Sequence, residues 1–453
     1  MPLSDPRKIA LDILLRVEDG AYADLALNAA FEKNTRLDGR DRNLATELVY
    51  GALRQRGRLD FALSQLCKTP LKKLELKVLW LLRLGAYQIL ELDRIPASAA
   101  VNQAVELARS ENLERATGFI NGVLRNLARQ REKIQWPDRT KKERAYLEHV
   151  LSVPRWLAEL WIKDWGAAEA MALAESMLGQ PPFTLRVNTL RLDRDSFLEK
   201  MRAAGHEVRP CQYAPEGVVV TRRGASPLAG MDEGWFQVQD EASMLISHLL
   251  DVRPGQRLLD TCAAPGGKTT HMAALTGNDN RLLALDLHPQ RVRLILEGAQ
   301  RLGCEGIEAK AWDMSCFPDF LEQRSFDRVL VDAPCSGLGV LRRNPEIRWR
   351  PTPPDFQALA DLQGTILQNA ALLVRPGGRL LYSLCTLTAR ETWGVVDDFL
   401  TSHPDFVLED LRQETPAAWA PLFDERGALR TTPQRCGGMD AFFAARFYRK
   451  PSA

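Results

Sequence analysis

The amino-acid sequence predicts an α/β protein in which an all-helical region and a small α+β region precede a doubly wound, mostly parallel sheet. Three observations support this fold class. Apolar residues recur at helical spacing through the first third of the chain, strand and helix patterns mix in the next part, and short apolar runs alternate with helices from about residue 241. The length of 453 residues suits about three domains. We expect them at residues 1–145, 146–240 and 241–450.

The first region is predicted to be a helical bundle with a basic surface. In "RKIALDILLRVED", residues 7–19, apolar side chains fall close to one helical stripe. Residues 1–150 contain 26 Lys and Arg against 20 Asp and Glu, although the whole chain has a net charge of only +2. Basic residues gather at 40–58 and again at 68–77, on faces expected to be exposed. This excess indicates either a polyanionic partner or an ordinary solvated helix surface.

The second region is predicted to be a small α+β domain. "FTLRVNTL" reads as a strand, "DRDSFLEKMRAAG" as a helix opened by an Asp cap, and "EGVVV" as another strand. Arg186 lies in the first of these strands and is a candidate RNA contact, with a loop-facing role as the alternative.

Targeting and cysteine patterns indicate a cytoplasmic protein. The most apolar stretch, "VLWLLRLGAYQIL", is interrupted by Arg83 and is expected to be a buried helix rather than a membrane span. The N-terminus lacks the continuous apolar core of a signal peptide. The eight cysteines are scattered without a CxxC pair or zinc-like spacing, so we expect free thiols and no metal.

The third region carries the pattern of a parallel sheet covered by helices. Its predicted strands are "QRLLD", "RLLALDL", "GIEAKAWD", "FDRVLVD", "GRLLYSLC" and "AFFAARFY". Ligands of such sheets bind beyond the carboxyl ends of the strands, where the strand order reverses. Candidate functional residues are therefore those that follow each strand.

A glycine-rich turn, "DTCAAPGGKTT" at residues 260–270, follows the first of these strands. Such a turn lets backbone N–H groups and a helix N-terminus approach a ligand closely. Gly267, Lys268 and Thr269 match the end of a P-loop, but Cys262 stands where that motif requires its first glycine. The missing glycine argues against a nucleotide hydrolase.

Acidic residues close four successive strands of this region, at Asp260, Asp286, Asp313 and Asp332. One such Asp is usually a turn or helix cap, but four together indicate a ligand site. Asp286 is placed to accept the two ribose hydroxyls of a nucleoside. Because no complete phosphate-binding motif is present, a nucleoside without phosphates fits best. We expect the ligand to be S-adenosylmethionine.

Two cysteines, Cys335 in "DAPCSGLG" and Cys385 in "YSLCT", lie just past the ends of two predicted strands. A thiolate that adds to carbon 6 of a pyrimidine makes carbon 5 nucleophilic enough to take an activated methyl group. A second group must then remove the carbon 5 proton, and the first sulfur must leave. Two thiols in one cleft suit such a reaction, and the residues alone leave open which one attacks.

Several motifs in fixed order resemble the RNA cytosine-5 methyltransferases of the NOL1/NOP2/Sun family. These are "DTCAAPGGKT", "LDLHPQRV", "DAPCSGLG" and "YSLCT", preceded by "LSVPRWL", "LRVNTLR" and "FQVQDEAS". The helices with "RDRNLATELVYGALR" and "ATGFINGVLRN" resemble the NusB-like RNA-binding bundle. The combination covers nearly the whole chain and is typical of bacterial members that act on small-subunit (16S) ribosomal RNA.

The resemblance implies a role for each motif residue. Asp286 would hold the ribose, Asp313 would lie near the adenine, and Asp332 would lie near the methionine amino group and the target base. Cys385 would be the nucleophile, and Cys335 would help release the product. The S-adenosylmethionine site would also be lined by the residues of one loop: Cys262, Ala263, Ala264, Pro265, Gly266, Gly267 and Lys268.

The resemblance leaves some points open. Leu384 stands where the family usually has Thr, and Thr386 where it usually has Ser. An enzyme that modifies tRNA or another RNA would share these motifs. A non-catalytic RNA-binding assembly factor would lack working thiols. We expect a monomer that binds small-subunit ribosomal RNA and no membrane, and the sequence names no protein partner.

Overall fold

The computed structural model describes residues 5–224 and 226–451, which form two compact units. Unit 1 comprises residues 1–180 and 341–353, and unit 2 comprises residues 181–340 and 354–453, each within the described ranges. The division into three domains expected from the sequence stays a prediction.

Unit 1 is all-helical, as predicted for the N-terminal region. Its first helix begins where the Asp5 carboxylate accepts hydrogen bonds from the backbone N–H groups of Arg7 and Lys8, with Pro6 at the first helical position. One apolar core joins the first seven helices. The helices are α1 (Pro6–Glu18), α2 (Ala23–Lys33), α3 (Gly39–Arg54), α4 (Arg56–Leu66), α5 (Leu76–Glu91), α6 (Ala97–Ser110), α7 (Glu114–Gln130), α8 (Glu143–His149), α9 (Arg155–Trp165) and α10 (Ala167–Leu178).

Helix α5 is the buried helix that "VLWLLRLGAYQIL" predicts. All of its residues from Val78 to Ile89 are buried, including Arg83, whose guanidinium pairs with Asp60 at 2.8 Å. A buried arginine is tolerated there because its charge is matched. Among the described residues, no helix combines the length and apolar character that crossing a bilayer requires.

Several basic side chains of unit 1 are already paired rather than free. Arg56 pairs with Glu18 at 3.0 Å, and Arg58 pairs with Glu91 at 2.9 Å. Arg54 is buried, and burial lowers the pKa of its guanidinium. The expectation of an exposed basic face is therefore wrong for Arg54, because position 54 faces the interior at the end of α3.

Residues 341–353 belong to unit 1 although they follow the "DAPCSGLG" motif of unit 2 in sequence. They contain a 3₁₀ turn at Pro345–Trp349. Within unit 1, the Trp349 indole N–H donates to the Leu53 carbonyl at 2.6 Å, and the Ala23 N–H donates to Glu346 at 3.1 Å. No motif or periodicity in the sequence indicates that this segment belongs to unit 1.

Unit 2 begins with a four-stranded antiparallel sheet of order β2-β3-β1-β4. Helix α11, capped by Asp193, packs its Phe197 face into the core of this sheet, which confirms the small α+β region. Its elements are β1 (Phe183–Val187), α11 (Arg194–Ala203), β2 (Glu207–Pro210), β3 (Gly217–Arg222) and β4 (Phe236–Val238).

The larger sheet of unit 2 has eight strands in the order β10-β12-β9-β8-β5-β6-β7, with β11 paired to β12. Strands β5 to β9 run parallel to one another, and the pairings of β12 with β9, β10 and β11 are antiparallel. This confirms a doubly wound, mostly parallel sheet. The strands are β5 (Gln256–Asp260), β6 (Asn280–Asp286), β7 (Ile307–Ala311), β8 (Phe326–Asp332), β9 (Val374–Leu384), β10 (Phe406–Leu408), β11 (Leu429–Arg430) and β12 (Phe443–Arg449).

The helices of unit 2 lie between these strands in sequence. A π-helical turn at Arg390–Gly394 leads directly into the last helix. The helices are α12 (Glu241–Leu249), α13 (Gly267–Leu275), α14 (Pro289–Leu302), α15 (Phe356–Leu373) and α16 (Val395–Ser402).

Candidate active site

The strand order reverses between β5 and β8, because β6 and β7 extend the sheet on one side and β9 extends it on the other. Asp260 ends β5 and Asp332 ends β8, so both lie at this switch point. The carboxyl ends of strands at a switch point form the usual ligand crevice of such sheets. The sequence motifs therefore converge on one edge of the sheet.

The cofactor loop, residues 262–268, turns sharply from β5 into α13. The Ala263 N–H donates to the Leu285 carbonyl at 2.8 Å, which ties the loop to β6. Gly266 has φ of +98°, and an added Cβ would stand 3.1 Å from the Ile295 Cα, so glycine is required there. Burial raises the pKa of the Cys262 thiol, which fits a packing role for that sulfur rather than a reactive one.

Asp286 and Asp313 differ in their surroundings. Asp286 is buried at the end of β6 and accepts hydrogen bonds from the backbone N–H groups of Ala264 at 3.1 Å and His288 at 3.2 Å. Each carboxylate oxygen keeps a second acceptor site. Asp313 is exposed, lies beyond the end of β7, and accepts from the Ser315 N–H at 2.9 Å. Since the Trp312 N–H donates to the Asp286 carbonyl at 2.9 Å, the two acidic residues follow neighbouring strand ends.

Asp260, the first of the four strand-end carboxylates, points into the fold. It is 1% exposed and accepts a hydrogen bond from the Thr269 hydroxyl at 2.7 Å. Burial raises its pKa to about 7. Asp260 therefore links β5 to α13 through Thr269, and its role beside a ligand stays a prediction.

Lys268 and Asp332 form an ion pair in the crevice. The Lys268 Nζ lies 2.6 Å from the Asp332 Oδ2, and the Ser383 hydroxyl donates to the Asp332 Oδ1 at 2.7 Å. Although burial lowers the pKa of Lys268, the Asp332 carboxylate outweighs this and holds that pKa above its usual value. The sequence assigned Lys268 to the cofactor loop, but not its pairing with Asp332.

The two cysteines meet. Cys335 lies in the loop after β8 (residues 333–340) and Cys385 in the loop after β9 (residues 385–389), here called the cysteine loops, and their Sγ atoms are 3.3 Å apart. The hydrogen bond to Cys385 first, and then burial, raise the pKa of Cys335 well above its usual range. Cys335 is therefore held as a thiol beside the Cys385 sulfur.

The variant positions of the cysteine motif are also placed. Leu384 is fully buried on β9, opposite Phe443 of β12. The Thr386 hydroxyl lies 2.9 Å from the Ser336 hydroxyl. The hydroxyl at 386 therefore joins the two cysteine loops.

A buried polar network behind the cofactor loop was not predicted. The Glu216 carboxylate lies 3.0 Å from the His248 Nε2 and 2.8 Å from the His271 Nε2. Burial lowers the pKa of His271 to about 4, so its ring is neutral. Arg186 is buried beside them and donates to Gln239, the Gly267 carbonyl and Thr270. Arg186 therefore links β1 to α13. Its interpretation as an RNA contact is wrong, because the side chain is buried and donates hydrogen bonds within the protein.

Comparison with known proteins assigns the class of this molecule. A family model described as 16S rRNA methyltransferase RsmB/F matches residues 247–448, the NusB family model matches residues 4–129, and a ferredoxin-like domain of RsmF/B-like methyltransferases matches residues 153–226. The fold and these matches define a methyltransferase with a NusB-like helical domain and a ferredoxin-like domain.

Full-length relatives identify the family. The chain is 37% identical over 452 residues to the probable ribosomal RNA small subunit methyltransferase B of Bacillus subtilis, covering 99% of this chain and 100% of that protein. It is 35% identical to the ribosomal RNA small subunit methyltransferase B of Pseudomonas putida, covering 98% of both. The chain belongs to the ribosomal RNA small subunit methyltransferase B family. The crystal structure of PH0851 superposes with a TM-score of 0.81 at 27% identity, covering 99% of both chains.

Proposed function

We propose that this protein methylates carbon 5 of one cytosine in small-subunit (16S) ribosomal RNA, using S-adenosylmethionine and a transient bond between Cys385 and carbon 6 of the base. The observation that carries the proposal is the 3.3 Å approach of the Cys335 and Cys385 sulfurs beside the Lys268–Asp332 ion pair. The names of the full-length relatives support the choice of RNA.

The cofactor loop and Asp286 fit S-adenosylmethionine. The glycine-rich turn from Cys262 to Lys268 allows backbone groups to approach a ligand closely. Gly266 packs against α14, where an added Cβ would lie only 3.1 Å from the Ile295 Cα. Asp286 keeps acceptor capacity for ribose hydroxyls. Asp313, at the neighbouring strand end, would lie near the adenine. When bound, the cofactor supplies an electrophilic methyl group.

Cys385 would act first. Its thiolate would add to carbon 6, and the electron pair of the carbon 5–carbon 6 double bond would become available at carbon 5. Carbon 5 would take the methyl group as the methyl–sulfur bond breaks and the sulfur leaves as a neutral thioether. Removal of the carbon 5 proton then restores the double bond as the carbon–sulfur bond breaks. Cys385 is thereby released as the thiolate with which it began.

Cys335 would serve the second half of the reaction. While Cys385 is free, the hydrogen bond between the sulfurs keeps Cys335 protonated. Once the Cys385 sulfur is bonded to carbon 6, it would no longer share that hydrogen bond. Cys335 would then pass its proton to solvent and take the proton from carbon 5. The ion pair of Lys268 and Asp332 would place one positive and one negative charge beside the target base.

The RNA would reach the site with its target base unstacked. A stacked or paired cytosine cannot present carbon 6 to a sulfur at the sheet edge, so an accessible nucleotide is required. The helical NusB-like domain would supply phosphate contacts that weaken as salt rises. We expect a cytoplasmic location, because the proposed substrate is bacterial ribosomal RNA.

Methylation of separated RNA classes tests the function. Purified protein with labelled S-adenosylmethionine is expected to label 16S ribosomal RNA that lacks the modification, and nuclease digestion should recover the label as 5-methylcytidine. Cys385→Ser is expected to abolish labelling, whereas Cys316→Ser, a change at an exposed cysteine, leaves it unchanged. Labelling of tRNA alone would contradict the ribosomal substrate. Absence of label in every RNA class would favour a non-catalytic assembly factor.

A further inference from the structure

We infer that Glu391 is a positioning residue that holds the two cysteine loops in register for the reaction, an inference that rests on the proposed function. Glu391 is 0% exposed and lies five residues beyond Thr386, after the second cysteine loop. Its carboxylate contacts both cysteine loops at once. A buried carboxylate is costly unless its oxygens are fully hydrogen-bonded, so this arrangement requires an explanation.

One oxygen of Glu391 fixes the Cys335 side. Its Oε1 accepts the Ser336 backbone N–H at 2.8 Å and the Gln363 side-chain amide at 3.1 Å. The same Gln363 amide donates to the Pro334 carbonyl at 2.9 Å. The backbone on both sides of Cys335 is therefore held by one pair of buried side chains.

The other oxygen joins this side to the Cys385 side. The Oε2 accepts from the Ser336 hydroxyl at 2.6 Å and from the Thr388 hydroxyl at 2.7 Å. Thr386, which follows Cys385 directly, lies 2.9 Å from the Ser336 hydroxyl. The residues next to the two sulfurs are thus connected through a single carboxylate. We therefore expect the 3.3 Å separation of the sulfurs to depend on it.

The local backbone supports the same inference. Glu391 is the second residue of the π-helical turn at Arg390–Gly394. Such turns are rare and occur frequently at functional sites, because the extra residue redirects a side chain. The Tyr382 hydroxyl lies 2.8 Å from the Glu391 carbonyl and 3.0 Å from Gln363 Oε1, which fixes the turn and the amide orientation together.

A displacement of the sulfurs by about 1 Å is enough to cost about 100-fold in rate, because the reacting atoms must meet in a narrow range of geometry. Glu391→Ala removes the five hydrogen bonds that the carboxylate accepts, including a long one of 3.5 Å from the Thr386 hydroxyl. Glu391→Gln keeps an oxygen for the Ser336 and Gln363 N–H groups, and the Ser336 and Thr388 hydroxyls can rotate to accept from its amide. We therefore expect Glu391→Ala to lose about 100-fold in kcat and Glu391→Gln only about tenfold.

The test measures single-turnover methyl transfer, the dissociation constant of S-adenosylmethionine, and adduct formation in a Cys335→Ser background. A positioning role predicts a fall in transfer and in adduct formation, with cofactor affinity changed less than twofold. Glu241→Gln is the matched control: Glu241 is also buried and accepts from the backbone N–H groups of Tyr213 and Ala214, away from the cysteines. Wild-type rates in Glu391→Ala, or a parallel loss of cofactor affinity, would overturn the inference.

A second measurement separates this inference from the proposed function. Phenylarsine oxide bonds to two neighbouring thiols with loss of one water, and needs no RNA. The wild-type protein is expected to bind it through Cys335 and Cys385, as shown by loss of binding in Cys385→Ser. Glu391→Ala is expected to bind it at least tenfold more weakly. Equal binding by Glu391→Ala and wild type would refute the positioning role of Glu391. Tight wild-type binding without methyl transfer would refute only the proposed function.

Discussion

The cofactor loop and the cysteine loops lie at the same edge of one sheet, but they are held in different ways. In the cofactor loop, the stabilising contacts are mainly backbone hydrogen bonds and a glycine conformation, as at Ala263 and Gly266. In the cysteine loops, they pass through side chains distant in sequence, such as Gln363 and Glu391. Cofactor affinity and the rate of methyl transfer should therefore respond to different substitutions.

The largest effect is expected at the nucleophile. Cys385→Ser should lower methyl transfer by on the order of 10⁴-fold or more, because a hydroxyl cannot replace a thiolate as the attacking group. Cofactor affinity should stay within twofold of the wild type. Quench-flow transfer and equilibrium binding measure the two quantities. If cofactor affinity fell together with methyl transfer, the cofactor loop and the cysteine loops would not act independently.

The next effect is expected at the ion pair that lies between the two regions. Lys268→Met leaves Asp332 without its cation in a largely buried position, with side-chain exposures of 11% and 27% in the native pair. We expect a loss of about 3 kcal/mol in the free energy of unfolding and a fall in transfer of about 100-fold. Urea unfolding and single-turnover assays check these values. Lys310→Met, which removes a cation–π contact with Phe320, is a suitable control. A Lys268→Met protein as stable as that control would contradict the account.

A smaller effect, confined to the cofactor, is expected at Asp286. Asp286→Asn should weaken S-adenosylmethionine binding by about 10- to 100-fold, because charged hydrogen bonds to ribose contribute about 1.5–3 kcal/mol each. Asp313→Asn should change the affinity for S-adenosylmethionine less than fivefold, since Asp313 is exposed and already accepts a hydrogen bond from the Ser315 N–H. Calorimetric titration compares them. A larger loss for Asp313→Asn would reverse the two assignments.

The last effect is a pH dependence of the free energy of unfolding, caused by Asp260 at the end of β5. Burial raises the pKa of Asp260 from 3.8 to about 7, so the folded protein keeps a proton that the unfolded chain loses. This stabilisation is complete below pH 4 and decreases by about 1.4 kcal/mol per pH unit until pH 7. Asp260→Asn should remove that slope. Unfolding curves of both proteins between pH 4 and 8 measure the difference, and identical slopes would contradict it.

The local elements were predictable from the sequence, and the long-range contacts were not. Strand β8 runs from Phe326 to Asp332, as its apolar run predicts, because parallel central strands are continuously apolar. Strands β2, β4 and β10 have only three or four residues and carry no periodic signal. The convergence of Cys335 and Cys385 followed from their positions after neighbouring strands. Glu391 was missed because it lies 55 residues from Ser336, and only the fold brings the two together.

Mapping the covalent bond tests the central claim most directly. Cys335→Ser protein, incubated with substrate RNA and S-adenosylmethionine, should accumulate a protein–RNA complex that survives denaturation. After digestion, mass spectrometry should find a methylated cytidine attached to the peptide that contains Cys385. The Cys335→Ser, Cys385→Ser double variant should give no complex. Attachment at another cysteine, or efficient turnover by Cys335→Ser without any complex, would contradict the account.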